Sequence, residues 1–188
     1  MIKIGILSSY NGTGFLALEE AIKNKIVDAK IEIVISNNST AQVLKKASEK
    51  NIPNFVVNKS LYDNEDIKIC DLMKEYKIDY IFLSGYMKKI EKNLLSNFPN
   101  KIINSHPALL PNYGGKGMYG RFVHEAVIKN SEKESGCTIH FVNENYDEGR
   151  YILQKKISLD IDETVDTLEN RIKILEQEAI VEAFLNLA

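Results

Sequence analysis

Asn104 and His106 stand one residue apart after the apolar pair Ile102-Ile103, in the stretch Asn104-Ser105-His106-Pro107-Ala108-Leu109-Leu110-Pro111. On an extended strand alternate side chains share a face, so the amide and the imidazole project together while Ser105 projects the other way. Pro107 keeps His106 out of the helical region and interrupts the hydrogen-bond ladder, so the strand ends there. An amide and an imidazole side by side can hydrogen-bond and neutralise an oxyanion, which is the chemistry of acyl transfer. A strand-capping Asn beside an incidental surface His fits the same residues. Asp147, in Asn145-Tyr146-Asp147-Glu148-Gly149, is a carboxylate that could join them. Beside His106 it would stabilise the imidazolium, raise its pKa and make it a proton source. Alone, it reads as a turn former. His140 falls in the alternation Thr138, His140, Val142 and reads as a half-buried structural residue. His124 sits in a helical pattern and carries no signal.

Two loops could hold a ligand. The first apolar run ends in Ser8-Ser9-Tyr10-Asn11-Gly12-Thr13-Gly14, directly before a helical pattern. Small residues feeding a helix start present unpaired N–H groups and a positive dipole end, which suits a phosphate; a plain turn between strand and helix fits equally. Neither the G-x-G-x-x-G nor the G-x-x-x-x-G-K-[ST] signature is met. The second run ends Ser36-Asn37-Asn38, without the acid that would hold an adenosine ribose, so a dinucleotide is disfavoured. Residues 112–120 carry Gly114, Gly115, Gly117 and Gly120, a density that permits close approach to a ligand. No metal-ligand spacing, serine elbow or activated thiol is visible.

The elements that must position these groups follow from periodicity. Apolar β-branched runs at 3–7, 30–36, 54–57, 79–84, 101–104, 137–142 and 151–157 read as strands. Helical patterns at 14–25, 40–50, 64–76, 88–98, 119–129 and 164–187 alternate with them. The expected fold is α/β: one Rossmann-like three-layer domain over residues 1–188, a mostly parallel seven-stranded sheet with helices on both faces. Ligands of such sheets lie at the carboxyl ends of the strands, where Asn104 and His106 stand. The final helix turns Leu168, Ile172, Leu175, Ala179 and Ala183 toward the sheet, with Glu176 at the edge of that face and Lys173 further round. Both fit a solvated charged flank. A net charge of −2 over 188 residues gives no footprint for nucleic acid or an anionic membrane. Two distant cysteines, Cys70 and Cys137, fit reduced thiols in a cytoplasmic chain.

Taken in order, these segments resemble the phosphoribosylglycinamide formyltransferase family over nearly the whole chain. The carriers are Ser9-Tyr10-Asn11-Gly12-Thr13-Gly14, Ser36-Asn37, Asp79-Tyr80-Ile81-Phe82-Leu83-Ser84-Gly85-Tyr86-Met87, the Asn104–Pro111 stretch, Gly136-Cys137-Thr138-Ile139-His140-Phe141-Val142 and Asp147-Glu148-Gly149. The resemblance implies formyl transfer from 10-formyltetrahydrofolate, as co-substrate, to the amine of glycinamide ribonucleotide in purine synthesis, with no metal. It implies that Asn104 and protonated His106 stabilise a tetrahedral oxyanion and that Asp147 keeps His106 charged. Asn11, Gly12, Thr13 and Gly14 would hold the substrate phosphate, and Glu176 and Lys173 would face the amine and ribose. Folate would contact Met87, Lys88, Lys89, Ile90, Asn104, Tyr146 and Asp147. His140, Lys116 and Tyr119 would be secondary contacts, and the chain would work as a monomer or homodimer.

Departures from the family are visible. Tyr10 and Gly14 replace a Gly and an Asn, Lys88 replaces an Arg, residues 113–120 are lengthened, and 59–67 lacks an arginine. The alternatives are a formyltransferase for another amine such as an amino sugar, a formyltetrahydrofolate hydrolase, and a non-catalytic binder on the same fold. The non-basic surface and the end at Ala188 are expected to separate the chain from methionyl-tRNA formyltransferase.

Overall fold

The computed structural model describes residues 1–188. Seven strands form one sheet: β1 (Ile2–Leu7), β2 (Ala29–Ser36), β3 (Asn54–Val56), β4 (Tyr80–Leu83), β5 (Ile102–His106), β6 (Glu134–Phe141) and β7 (Tyr151–Ser158). Six helices join them: α1 (Thr13–Lys23), α2 (Gln42–Glu49), α3 (Glu65–Glu75), α4 (Lys92–Asn97), α5 (Arg121–Lys129) and α6 (Val165–Leu187). The order across the sheet is β3-β2-β1-β4-β5-β6-β7. The first five of these run parallel, whereas β6 is antiparallel to both β5 and β7. The order reverses between β1 and β4, the switch point at which doubly wound sheets open a crevice. No helix is long and apolar enough to cross a membrane.

Strand alternation splits the core into two layers. Ile4, Ile6, Phe82, Ile103 and Ile139 face α1, α2 and α6. Leu7, Ile33, Ile81, Leu83 and Ile102 face α3 and α4. Right-handed crossovers require this: the chain winds one way through β1-β2-β3 and returns to β4 on the other face. A bulge between Ile4 and Gly5 sets Ile4 opposite Ile31 and Gly5 opposite Ile33. Ile31 and Ile33 would otherwise share a face; the extra residue, Glu32, sends them to different layers. On α6, Phe184 meets Phe82 edge to face at 5.4 Å, a contact worth about 1 kcal/mol beyond burial. A third cluster, Ala108, Val123, Val127, Leu168 and Ile172, seats α5 on α6 beside the end of β5.

Several expected boundaries move, two of them beside the site. The helix expected over 88–98 starts only at Lys92, because the carboxylate of Asp66 accepts the N–H groups of Asn93 and Leu94 and fixes the first turn there. Residues 87–91 therefore form a loop, with Ile90 buried at its end. Strand β5 continues through Asn104 to His106, which puts both residues of interest inside the ladder.

Candidate active site

The register of β5 against β6 builds the site. Asn104 pairs with His140 and His106 with Thr138, so these side chains rise on one face at the carboxyl end of β5. Asn104 Nδ2 lies 3.2 Å from His140 Nε2. The Nδ1–H of His140 donates to the Phe141 carbonyl at 2.9 Å, which leaves Nε2 of the neutral ring as acceptor. Asn104 meets that acceptor with its amide nitrogen and keeps a second N–H for a ligand. His140 is a structural residue with both ring nitrogens partnered, as expected, but it is fully rather than half buried, at 1% exposure, and it orients the candidate catalytic amide.

Asp147 closes the group. Its Oδ2 lies 3.6 Å from His106 Nδ1, and its Oδ1 lies 3.6 Å from His140 Nε2. The Gly115 N–H donates to Asp147 Oδ2 at 2.9 Å, so the glycine-rich loop fixes the carboxylate. On the other side of the ring His106 Nε2–H donates to the Tyr113 carbonyl at 2.7 Å. Tyr113 and Asp147 both have left-handed backbones, with φ of 57° and 59°. Such conformations cost energy and collect at functional sites. Here both residues aim an acceptor at the same imidazole.

Opposing effects act on that imidazole. Burial pushes the pKa of His106 below its ordinary 6.5; Asp147 and the Tyr113 carbonyl pull it upward, and His140 opposes them. Burial is the larger effect, so the net displacement is downward although Asp147 pulls upward as expected; with Nε2–H given to the Tyr113 carbonyl, Nδ1 of the neutral ring is the position that can accept a proton. Burial acts to raise Asp147, but the neighbouring imidazoles of His140 and His106 and the Gly115 N–H hold it below the usual carboxylate range. The ring is thus a base poised between two acceptors that would stabilise it once protonated. The Cys137 thiol, pushed up to about 12 by burial, stays unionised.

Ser105 points to the opposite face, as alternation requires, and donates to Glu176 Oε1 at 2.5 Å. Burial raises the pKa of Glu176, against the hydrogen bond of Ser105 and the charge of Lys173. One turn along α6, Ile180 packs 2.9 Å from where a Cβ of Gly14 would stand. A helical turn rises about 5.4 Å, so α6 brings Glu176 close to the loop before α1. In that loop Gly12 has φ +62° at the helix start, and the Phe15 N–H is taken by Ser84 Oγ at 3.0 Å. Asn11 and Thr13 are exposed and Gly14 is buried. Ser9, not singled out in the sequence, ties the region together. Its Oγ donates to Asn37 Oδ1 at 2.6 Å and accepts the Met87 N–H at 2.8 Å.

The remaining residues divide. Met87, Lys88, Lys89 and Ile90 form the loop after β4; Lys89 Nζ lies 5.7 Å from the ring centre of Tyr146, so this loop and the Asp147 turn face each other. Lys173 is exposed and donates to Glu169 at 2.7 Å, three residues before Glu176. Lys116 is exposed on the glycine-rich loop, and Tyr119 packs edge to face on Phe122 at 5.3 Å. Neither makes a side-chain bond to the Asn104–His106–Asp147 group.

An open α/β sheet with an amide, two imidazoles and a carboxylate converging at one strand end is the architecture of a formyl-group transferase. The chain belongs to the formyl transferase family, whose model matches residues 2–184. Among its relatives, the phosphoribosylglycinamide formyltransferase of Haemophilus influenzae is 35% identical over 181 residues, covering 95% of this chain and 82% of that protein. The chloroplastic phosphoribosylglycinamide formyltransferase of Arabidopsis thaliana is 34% identical over 96% of the chain, which spans 63% of that protein's length. The crystal structure of glycinamide ribonucleotide transformylase 1 from Geobacillus kaustophilus superposes with a TM-score of 0.91 at 30% identity, covering 100% of this chain and 98% of that one.

Proposed function

We propose that this chain transfers the formyl group of 10-formyltetrahydrofolate to the amine of glycinamide ribonucleotide. The observation that carries the proposal is the convergence of Asn104, His106 and Asp147 at one strand end, with Asp147 3.6 Å from His106. The free N–H of Asn104 donates to the formyl oxygen as negative charge develops there. His106 Nδ1 accepts the proton that the attacking amine must lose, and Asp147 and the Tyr113 carbonyl stabilise the resulting imidazolium. The new bond joins the amine nitrogen to the formyl carbon, the bond from that carbon to the folate N10 breaks, and N10 takes up the proton held by His106, which restores the neutral ring.

The two faces of β5 separate the partners. The loop 87–90, with Lys88 and Lys89, and Tyr146 stand with Asn104 and His106, and serve the folate. Glu176 and the loop 11–14 stand across the strand with Ser105, and serve the amine, ribose and phosphate. Lys173 lies one turn from Glu176 beside the same substrate, and Lys116 and Tyr119 border it from the glycine-rich loop. The test is purified protein with 10-formyltetrahydrofolate and glycinamide ribonucleotide, following release of tetrahydrofolate. Acceptor-dependent release is expected. Release without acceptor would indicate hydrolysis, and release with only an amino sugar would replace the acceptor.

A further inference from the structure

The loop proposed to hold phosphate has a backbone orientation that α2 imposes. The Tyr10 carbonyl accepts the N–H of Val43 at 3.0 Å, and the Asn11 carbonyl accepts Nζ of Lys46 at 2.8 Å. In a trans peptide the N–H of the following residue points opposite to the carbonyl. Two carbonyls drawn outward to α2 therefore turn the N–H groups of Asn11 and Gly12 to the other side. Gly12 permits the turn with φ +62°, and its missing Cβ leaves space that Val43 Cγ2, 2.5 Å from the ideal Cβ position, would otherwise contest. The N–H groups of Thr13 and Gly14 follow as the unpaired start of α1. Four successive N–H groups, Asn11 to Gly14, have no protein partner. The wholly buried Ser8 hydroxyl, three residues earlier, has none either. Lys46 is half-buried and is paired with no carboxylate, whereas its neighbour Lys45 faces Glu49. An ammonium has three donors, and the carbonyl uses one.

We propose that Lys46 is a positioning residue for the acceptor's phosphate: it turns the Asn11–Gly12 peptide so that its N–H faces the phosphate, and adds an unneutralised positive charge beside it. The proposal rests on the acceptor reading above. Sequence gave no sign of it, since the lysine lies 35 positions from its partner in a helix of ordinary amphipathic pattern.

The test compares glycinamide ribonucleotide with its dephosphorylated nucleoside as acceptors, and uses inorganic phosphate as competing ligand. K46M should raise KM for the phosphorylated acceptor about tenfold with kcat within twofold. It should weaken phosphate inhibition by the same factor and leave KM for the nucleoside unchanged. K46R should recover most of the loss, and K45M, which removes an equal charge from the neighbouring position, should change nothing. A K46M variant equal to wild type, or one impaired equally on both acceptors, would overturn the role of Lys46. A wild-type protein indifferent to the phosphate would overturn the reading of the loop, and the inference with it.

Discussion

Replacing Asp147 by Asn isolates the carboxylate's charge from its structural part. Asn adopts left-handed backbone nearly as readily as Asp, so the turn at φ 59° survives. The amide oxygen can still accept the Gly115 N–H now bound at 2.9 Å, so the glycine-rich loop keeps its anchor. What disappears is the negative charge 3.6 Å from His106 Nδ1. Coulomb's law at that distance, with an effective dielectric near 20, gives about 4–5 kcal/mol for the pair once the ring is protonated. The side chains are only 4% and 12% exposed, so solvent screening takes little of this. At about 1.4 kcal/mol per decade, kcat should fall roughly 10³-fold or somewhat more, with KM for either substrate within about threefold.

The pH profile supplies the second readout. Asp147 raises the pKa of His106 against burial. Its loss disfavours the imidazolium, so the pKa of His106 must fall further. The acidic limb of kcat/KM, which reports the free protein, should lie below pH 6.5 in wild type and move to still lower pH in the variant. A variant with kcat within threefold of wild type, or with the limb displaced toward higher pH, would refute the pairing as the source of imidazolium stabilisation.

Gly149→Ala would place a Cβ 1.7 Å from the Phe141 carbonyl oxygen, two residues past Asp147. The turn must shift, lowering the melting temperature by roughly 5–10 °C and kcat with it; an unchanged melt would contradict the packing described. Gly14→Asp should act on folding and not as a charge beside a phosphate, since Ile180, Phe82 and Ser84 lie 2.9–3.1 Å from the new Cβ. A clear loss of thermal stability is expected, and a normal melt with only a raised acceptor KM would show that the loop is more open. Ser105→Ala removes the hydrogen bond to Glu176 and should raise acceptor KM several-fold while folate KM stays constant. Equal effects on both would undo the assignment of the two faces.

The strand containing Asn104 and His106 was legible because its information is local: an apolar pair, alternation of period two, and a proline stop. The start of α4 was not, because its cap is Asp66, 27 residues away from Asn93. The first residues of β6, Glu134-Ser135-Gly136, carry no apolar pattern, yet Gly136 belongs to the strand. The Lys155 carbonyl oxygen would lie 2.0 Å from any Cβ there. The pairing of His140 with Asn104 was missed for a related reason. Alternation told which face it takes on its own strand, but the pairing with Asn104 is fixed by antiparallel register, which depends on the whole β5–β6 connection. The balance of effects on His106 was only half legible: the sequence suggested the carboxylate neighbour, which does pull upward, but burial is a property of the packed fold and is the larger effect here.

The same alternation would let one strand serve the two proposed substrates. Asn104 and His106 emerge on the face shared with His140 and Asp147, and Ser105 between them emerges on the face of α6, holding Glu176. A donor bound on the first face and an acceptor bound on the second meet only at the strand's free end, where Pro107 closes the ladder. A slip of one residue would exchange the faces, placing Ser105 against Asp147 and the imidazole under α6. The register is held against that slip by Thr138, whose hydroxyl donates to the Ala108 carbonyl at 2.7 Å and accepts the Leu110 N–H at 3.1 Å. The Thr138 hydroxyl makes no hydrogen bond to any of the reacting groups. It nonetheless helps to fix on which side of the sheet each of them stands.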